Sequence, residues 1–207
     1  MDFTVRNVLG PHLQRNAPDN HPVVVMTCGI AGELIGLEDV SWRLAKKMKG
    51  SGKTTLAKAI EAAYPNFHRI SGDEIIHQRH GIYGIDYEAS PSLYAEYQDE
   101  QDEIYMSTFR ALLDEKKDII LERSFYAKED RDEYRGIAEK AGARVVLVFL
   151  KAEGESGKEC LWTRIRQRSK GIKTADSALD ISRETFDYYW NGFENPDGEG
   201  EVVVQVK

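Results

Sequence analysis

The run Ser51-Gly52-Lys53-Thr54-Thr55 brings a glycine, a lysine and two hydroxyls together in an order suited to holding phosphate. In the Walker A pattern a glycine and four further residues precede Gly-Lys-Ser/Thr. Backbone amides then curl around phosphate oxygens, the lysine reaches the outer phosphates and the hydroxyl holds Mg²⁺. Here the local spacing breaks: Lys47 stands five positions before Gly52, and the preceding WRLAKKMK has helical rather than strand character.

The missing half lies upstream. Residues 23–32, VVVMTCGIAG, read as a buried strand running into a glycine turn, and joining Gly32 to Ser51 gives GIAGSGKTT, a complete motif with strand before and helix after. The phosphate-binding set is therefore Gly29, Ile30, Ala31, Gly32, Ser51, Gly52, Lys53, Thr54 and Thr55, with residues 33–50 as an insertion. A glycine flanks each junction, Gly32 and Gly50, and either fits the loop position. Two origins fit the insertion. One is a translated intron that split and regenerated a glycine codon; the other is a genuine insert with Leu34, Leu37, Ser41, Leu44 and Met48 on one face of an amphipathic helix. Closing a loop of this length costs only about a few kcal/mol of chain entropy, so the sheet is expected to survive. The phosphate nest needs consecutive amides from both halves, so nucleotide binding is expected to suffer.

Other chemistry-bearing residues cluster after apolar runs. Asp73 and Glu74 follow the second strand candidate, at the edge where open α/β sheets place ligands. Ile119-Ile120-Leu121-Glu122-Arg123 reads as a Walker B strand in which Glu122 would serve Mg²⁺ and Arg123 would hold substrate or phosphate; a solvated charged pair is the plainer alternative. Arg164 and Arg168 are four apart on a helical segment and share a face, whereas Arg166 points elsewhere; a solvated basic face is again the alternative.

Elements that would position these residues are legible from patterning. Strand candidates cover 22–28, 67–70, 119–121, 144–150 and 202–206, and helical spacing covers 54–64, 92–115, 128–141, 158–169 and 182–193. On the long helix, Leu93, Tyr97, Ile104, Phe109 and Leu112 can share a face. Alternation of strand and helix predicts an α/β fold: a five-stranded parallel sheet covered by helices on both faces. Residues 1–21 read as an N-terminal extension and 22–207 as one domain.

Composition narrows the class. No apolar run approaches the roughly 20 residues of a membrane span. The first residues lack the pattern of a secretory signal, and only Cys28 and Cys160 are present, which favours a cytoplasmic setting with reduced thiols. A formal net charge of −7 argues against a nucleic-acid partner. The spacing of Cys and His offers no structural zinc site, and oligomeric state is not legible.

With the loop joined, residues 22–206 resemble the P-loop kinase-like ATPases, the AAA-domain group related to zeta toxins, chloramphenicol phosphotransferase, and shikimate and gluconate kinases. The resemblance rests on GIAG with SGKTT, on SGDE, on LERSF and on RIRQRSKG. It implies a P-loop NTPase fold of nucleoside-monophosphate-kinase-like type and an ATP-dependent phosphotransferase acting with Mg²⁺ on a small hydroxyl-bearing acceptor. Lys53 and the loop amides would hold phosphates, and Thr54 and Glu122 would hold the metal. Asp73 would be the general base, with helix capping as the alternative, and Arg164 and Arg168 would close a lid. Residues 77–105, carrying Tyr83, Asp86, Tyr87, Tyr94 and Tyr97, would form the acceptor region. The other functional class is a nucleotide-binding protein without transfer, regulatory or inactivated by residues 33–50.

Overall fold

The computed structural model describes residues 5–15, 20–30, 52–171, 174 and 182–206. A π-helical turn, Val5–Leu9, leads into α1 (Gly10–Leu13) and then β1 (Val23–Cys28). There follow α2 (Gly52–Ala63), β2 (Phe67–Ser71), α3 (Gly72–His80), α4 (Pro91–Asp114), β3 (Asp118–Glu122), α5 (Lys128–Lys140), β4 (Arg144–Lys151), α6 (Gly154–Ser169), α7 (Arg183–Gly192) and β5 (Val202–Gln205).

The five strands form one parallel sheet in the order β2-β3-β1-β4-β5. Every residue of β1 and β3 is buried, as expected for parallel strands covered on both faces, whose sequences run apolar without alternation. The register sets Val24 opposite Ile119 on one side and opposite Val145 on the other. Helices pack on both faces, as the alternation of strand and helix requires. Connections after β1 and β4 leave in opposite directions, so the switch point of the sheet lies between these two strands at their C-terminal ends.

Several elements differ from the sequence reading. Helix α6 begins at Gly154, ahead of the expected 158. Gly154 holds φ 64°, a left-handed turn that glycine adopts without strain, and so takes the chain from strand to helix within a few residues. Helix α3 follows β2 directly, with Ser71 at the N-cap position. The core face of α4 is also displaced from expectation: Tyr105, Phe109 and Leu113 are buried, while Leu93, Tyr97, Ile104 and Leu112 are half-buried. The i, i+4, i+8 spacing of the buried three makes a single straight seam against the sheet.

Ends of the described chain are tied into this core. Val5, Leu9 and Leu13 are at most 2% exposed. Arg15 Nε donates to both carboxylate oxygens of Asp118, at 2.9 and 3.1 Å, and Arg15 Nη2 donates to the Lys116 carbonyl at 2.7 Å. Asp118 is the first residue of β3, one position ahead of the expected strand, and its carboxylate also accepts from the Val23 amide and from Asn66. Three donors, making four hydrogen bonds, converge on one buried carboxylate where β1 and β3 begin. At the opposite end, Arg131 of α5 is 1% exposed and forms a bidentate pair with Glu199, at 2.7 and 2.9 Å. Its remaining donors reach the carbonyls of Phe125 and Glu194.

Candidate phosphate and acceptor site

Strand β1 ends on Cys28, and the chain turns at Gly29, whose amide donates to the Ser124 carbonyl at 3.0 Å. The Cys28 thiol faces the Phe125 carbonyl at 3.5 Å. Residues 124 and 125, just beyond β3, thus anchor the first half of the split motif from below, and Arg131 holds Phe125 in turn. Phe125 adopts φ 47° and is fully buried, a left-handed backbone position that this set of contacts maintains.

The second half opens α2. Gly52, Lys53 and Thr54 are buried and Thr55 is half-buried. Lys53 Nζ donates to the Gly29 carbonyl at 2.9 Å, across 24 positions of sequence. The two halves of the motif therefore meet in space, with the lysine lying over the strand-end turn. Ile30 is 9% exposed beside them. Ala31, Gly32, Ser51 and the insertion 33–50 lie outside the described residues.

Thr54 and Glu122 come together. The threonine hydroxyl donates to Glu122 Oε1, while Glu122 Oε2 accepts from Arg69 Nε at 2.6 Å. Arg69 also donates to Glu74 at 2.6 Å, so one guanidinium links the β3 carboxylate to the first turn of α3. A hydroxyl and a carboxylate oxygen in contact at the start of α2 are hard oxygen donors that fit Mg²⁺, a cation that takes one or two protein oxygens and completes its shell with phosphates and water. Among the described residues no group of three or more His, Cys, Asp or Glu is gathered as a metal cluster. Arg69 was not singled out by sequence reasoning, since a single arginine in an exposed-looking FHRIS strand gives no signal of its partner.

Arg123 points away from the phosphate loop toward α4. Its guanidinium donates to Asp102 at 2.8 Å and to the Tyr134 hydroxyl at 3.2 Å. It also stands 5.7 Å from the ring centres of both Tyr105 and Tyr134. Tyr105 is 1% exposed and its hydroxyl has no hydrogen-bond partner among the described residues; burial raises its pKa well above the ordinary tyrosine value.

Asp73 is exposed in the first turn of α3. Ser71 occupies the N-cap position and its side chain makes no capping hydrogen bond. Across from it, Tyr94 of α4 has its pKa raised first by burial and then by the negative charge of Asp73. Tyr83 makes edge contacts with Tyr87 and Tyr94, and Tyr87 with Tyr97, at centroid distances of 5.1 to 5.8 Å. His80 lies flat on Tyr97, 3.5 Å between ring centres. The expected acceptor segment is therefore an aromatic cluster beside Asp73. On α6, Arg164 and Arg168 are half-buried and Arg166 is exposed, as their spacing implied; Ile172 and Lys173 lie outside the described residues.

One cavity, of about 80 Å³, opens at the switch point of the sheet. It is lined by Ile30 of the strand-end turn, Phe149 and Ala152 at the end of β4, and Trp190, Phe193 and Asn195 from α7 and the segment after it.

Comparison with known proteins agrees with this architecture. No curated protein sequence matches the chain. Among solved structures, a protein described as a kinase from Chloroflexus aurantiacus J-10-fl superposes with a TM-score of 0.57 at 16% identity, covering 89% of this chain and 87% of that one. Kti12 from Chaetomium thermophilum, solved with ADP-AlF3, gives 0.52 at 14% identity, with 88% of each chain covered. A gluconokinase from Sinorhizobium meliloti 1021 gives 0.49 at 19% identity, covering 90% of this chain and 82% of that one. The fold is the P-loop kinase-like one. Residues 48–196 match the model of a family described as AAA domain, a match that begins after the central strand β1 and takes in the second half of the split motif. The chain belongs to this AAA-domain family of P-loop kinase-like proteins.

Proposed function

We propose that the protein is an ATP-dependent phosphotransferase acting on a small hydroxyl-bearing acceptor. The observation that carries the reading is the contact of Lys53 Nζ with the Gly29 carbonyl, which brings both halves of the phosphate motif together in spite of the insertion. Lys53 and the amides of residues 29–32 and 51–55 receive the phosphates in this reading. The aromatic cavity beside Ile30 is of a kind suited to a base ring. Thr54 and Glu122 would hold Mg²⁺, which when bound supplies charge neutralisation at the phosphates. Asp73, exposed at the C-terminal edge of the sheet, takes the acceptor proton, and Arg164 and Arg168 approach from α6 to offset charge spreading over the transferred group. Arg123 acts here through Asp102, Tyr105 and Tyr134 at the acceptor side. A net charge of −7 supports a small-molecule acceptor over a polynucleotide, and a cysteine content of only two residues supports a reducing, cytoplasmic setting.

A second reading has its own support. The interruption of the motif between Gly29 and Gly52 favours a protein of this fold that binds nucleotide weakly or not at all and transfers nothing. Calorimetry of MgATP on the full chain, on a chain lacking residues 33–50, and on Lys53→Ala separates the two. The phosphotransferase reading expects the full chain to bind and Lys53→Ala to lose binding by at least tenfold. Binding by the shortened chain alone would assign the full chain to the inactive class, and binding by neither would remove the P-loop reading altogether.

A further inference from the structure

Arginine and histidine side chains around the aromatic cluster are already matched by carboxylates. Arg79 Nη2 lies 2.5 Å from Glu100 and His80 Nε2 lies 2.6 Å from the same carboxylate. Arg123 pairs with Asp102, and Arg69 with both Glu74 and Glu122. From residue 81 to residue 109 the sequence has no Lys, Arg or His, whereas Asp86, Glu88, Glu96, Asp99, Glu100, Asp102 and Glu103 all fall there. An acceptor bearing a carboxylate or phosphate would find its charge repelled by this acidic segment, and like charges brought together in a partly dry site are costly.

The same region offers ring faces and hydroxyls instead. Tyr83, Tyr87, Tyr94 and Tyr97 present faces and edges at mutual angles of 72 to 85°. Two hydroxyls, on Tyr87 and the fully buried Tyr105, have no hydrogen-bond partner among the described residues. Buried hydroxyls without partners are uncommon in folded proteins, and a neutral ligand oxygen would satisfy them. A flat or cyclic body meets the ring faces through the same edge and face contacts the tyrosines make with each other.

We propose that the acceptor carries its hydroxyl on an uncharged or amine-bearing ring, seated on the tyrosines of the α3–α4 side next to Asp73, and that acidic alcohols are excluded. This rests on the phosphotransferase reading for the identity of the site, but its test does not require transfer. Binding to the full chain is followed by tyrosine fluorescence with two matched pairs: glucosamine against glucuronate, and uridine against uridine 5′-monophosphate. Glucosamine and uridine are expected to bind at least tenfold more tightly than their acidic partners. Tyr94→Leu is expected to weaken both by about fivefold, and the double variant Glu100→Gln, Asp102→Asn to narrow the gap within each pair. Equal or tighter binding of the acidic members, or no response to any of the four, overturns the proposal. MgATP binding measured on the same samples keeps the two readings apart: loss of MgATP binding with the ring preference intact counts against phosphotransfer, and MgATP binding with an acidic preference counts against this acceptor class alone.

Discussion

Asp73 shows how much of a residue's part the sequence can carry. Its place after the second strand was legible from SGDE, and so was its competing use as a cap. In the structure Ser71 stands at the N-cap position and Asp73 is exposed in the first turn of α3, where its charge adds to burial in raising the pKa of Tyr94. If Asp73 takes the acceptor proton, Asp73→Ala should lower phosphoryl transfer by about 10²- to 10⁴-fold while MgATP affinity stays within twofold. A radiolabel transfer assay beside calorimetry reads both, and equal loss of binding and transfer would count against the base role. Lys53, Thr54 and Glu122 were legible as well, because motif spacing and strand position pointed to them separately, and the structure sets Thr54 against Glu122 and Lys53 against Gly29. Arg69 and the Asp102 partner of Arg123 were not, since each contact joins residues from different elements that no local pattern links.

Elements follow the same division. All five strands emerged from short apolar runs with ends displaced by a residue; β1 and β3, buried on both faces, are the plainest, while the edge strands β2 and β5 carry exposed positions and a weaker signal. Helix faces were harder. A periodic apolar pattern on α4 admitted two neighbouring stripes, and packing chose Tyr105, Phe109 and Leu113 over the stripe through Ile104 and Leu112. The reason is local: Phe109 stacks on Tyr134 of α5 and Tyr105 meets the same ring edge-on, and the spacing within α4 says nothing about that residue. Phe109 has no exposure, and its ring lies 5.8 Å from that of Tyr134. Leu113→Ala is expected to cost about 2–5 kcal/mol in urea unfolding, and Leu112→Ala, on the half-buried stripe, distinctly less. The reverse ranking would restore the sequence-based face.

On the scale of the whole molecule, Arg131 and Glu199 join α5 to the turn before the last strand, and with Phe125 and Glu194 they hold that turn against the base of the phosphate loop. The hydrogen bond from Arg131, first, and its charge hold the Glu199 carboxyl below the usual glutamate range. The sign follows: the folded-state pKa is depressed, so this stabilisation is complete above the unfolded value of about 4.3 and is lost as pH falls below it. The Glu199 side chain is only 6% exposed, and without Arg131 it keeps only the longer 3.6 Å contact with Arg135. Arg131→Ala is expected to lose about 3–5 kcal/mol at pH 7, and the difference from the wild-type chain to shrink as the pH is taken below about 4. A pH-independent difference in urea titrations would mean that packing, not charge, holds the turn. The central strand has a consequence of another kind. Both neighbours of β1, β3 and β4, come from the chain after the interruption, with Val24–Thr27 in register against one and Val23–Cys28 against the other. The strand that precedes the interruption is thus locked on both edges by the chain that follows it, as a keystone is held in an arch.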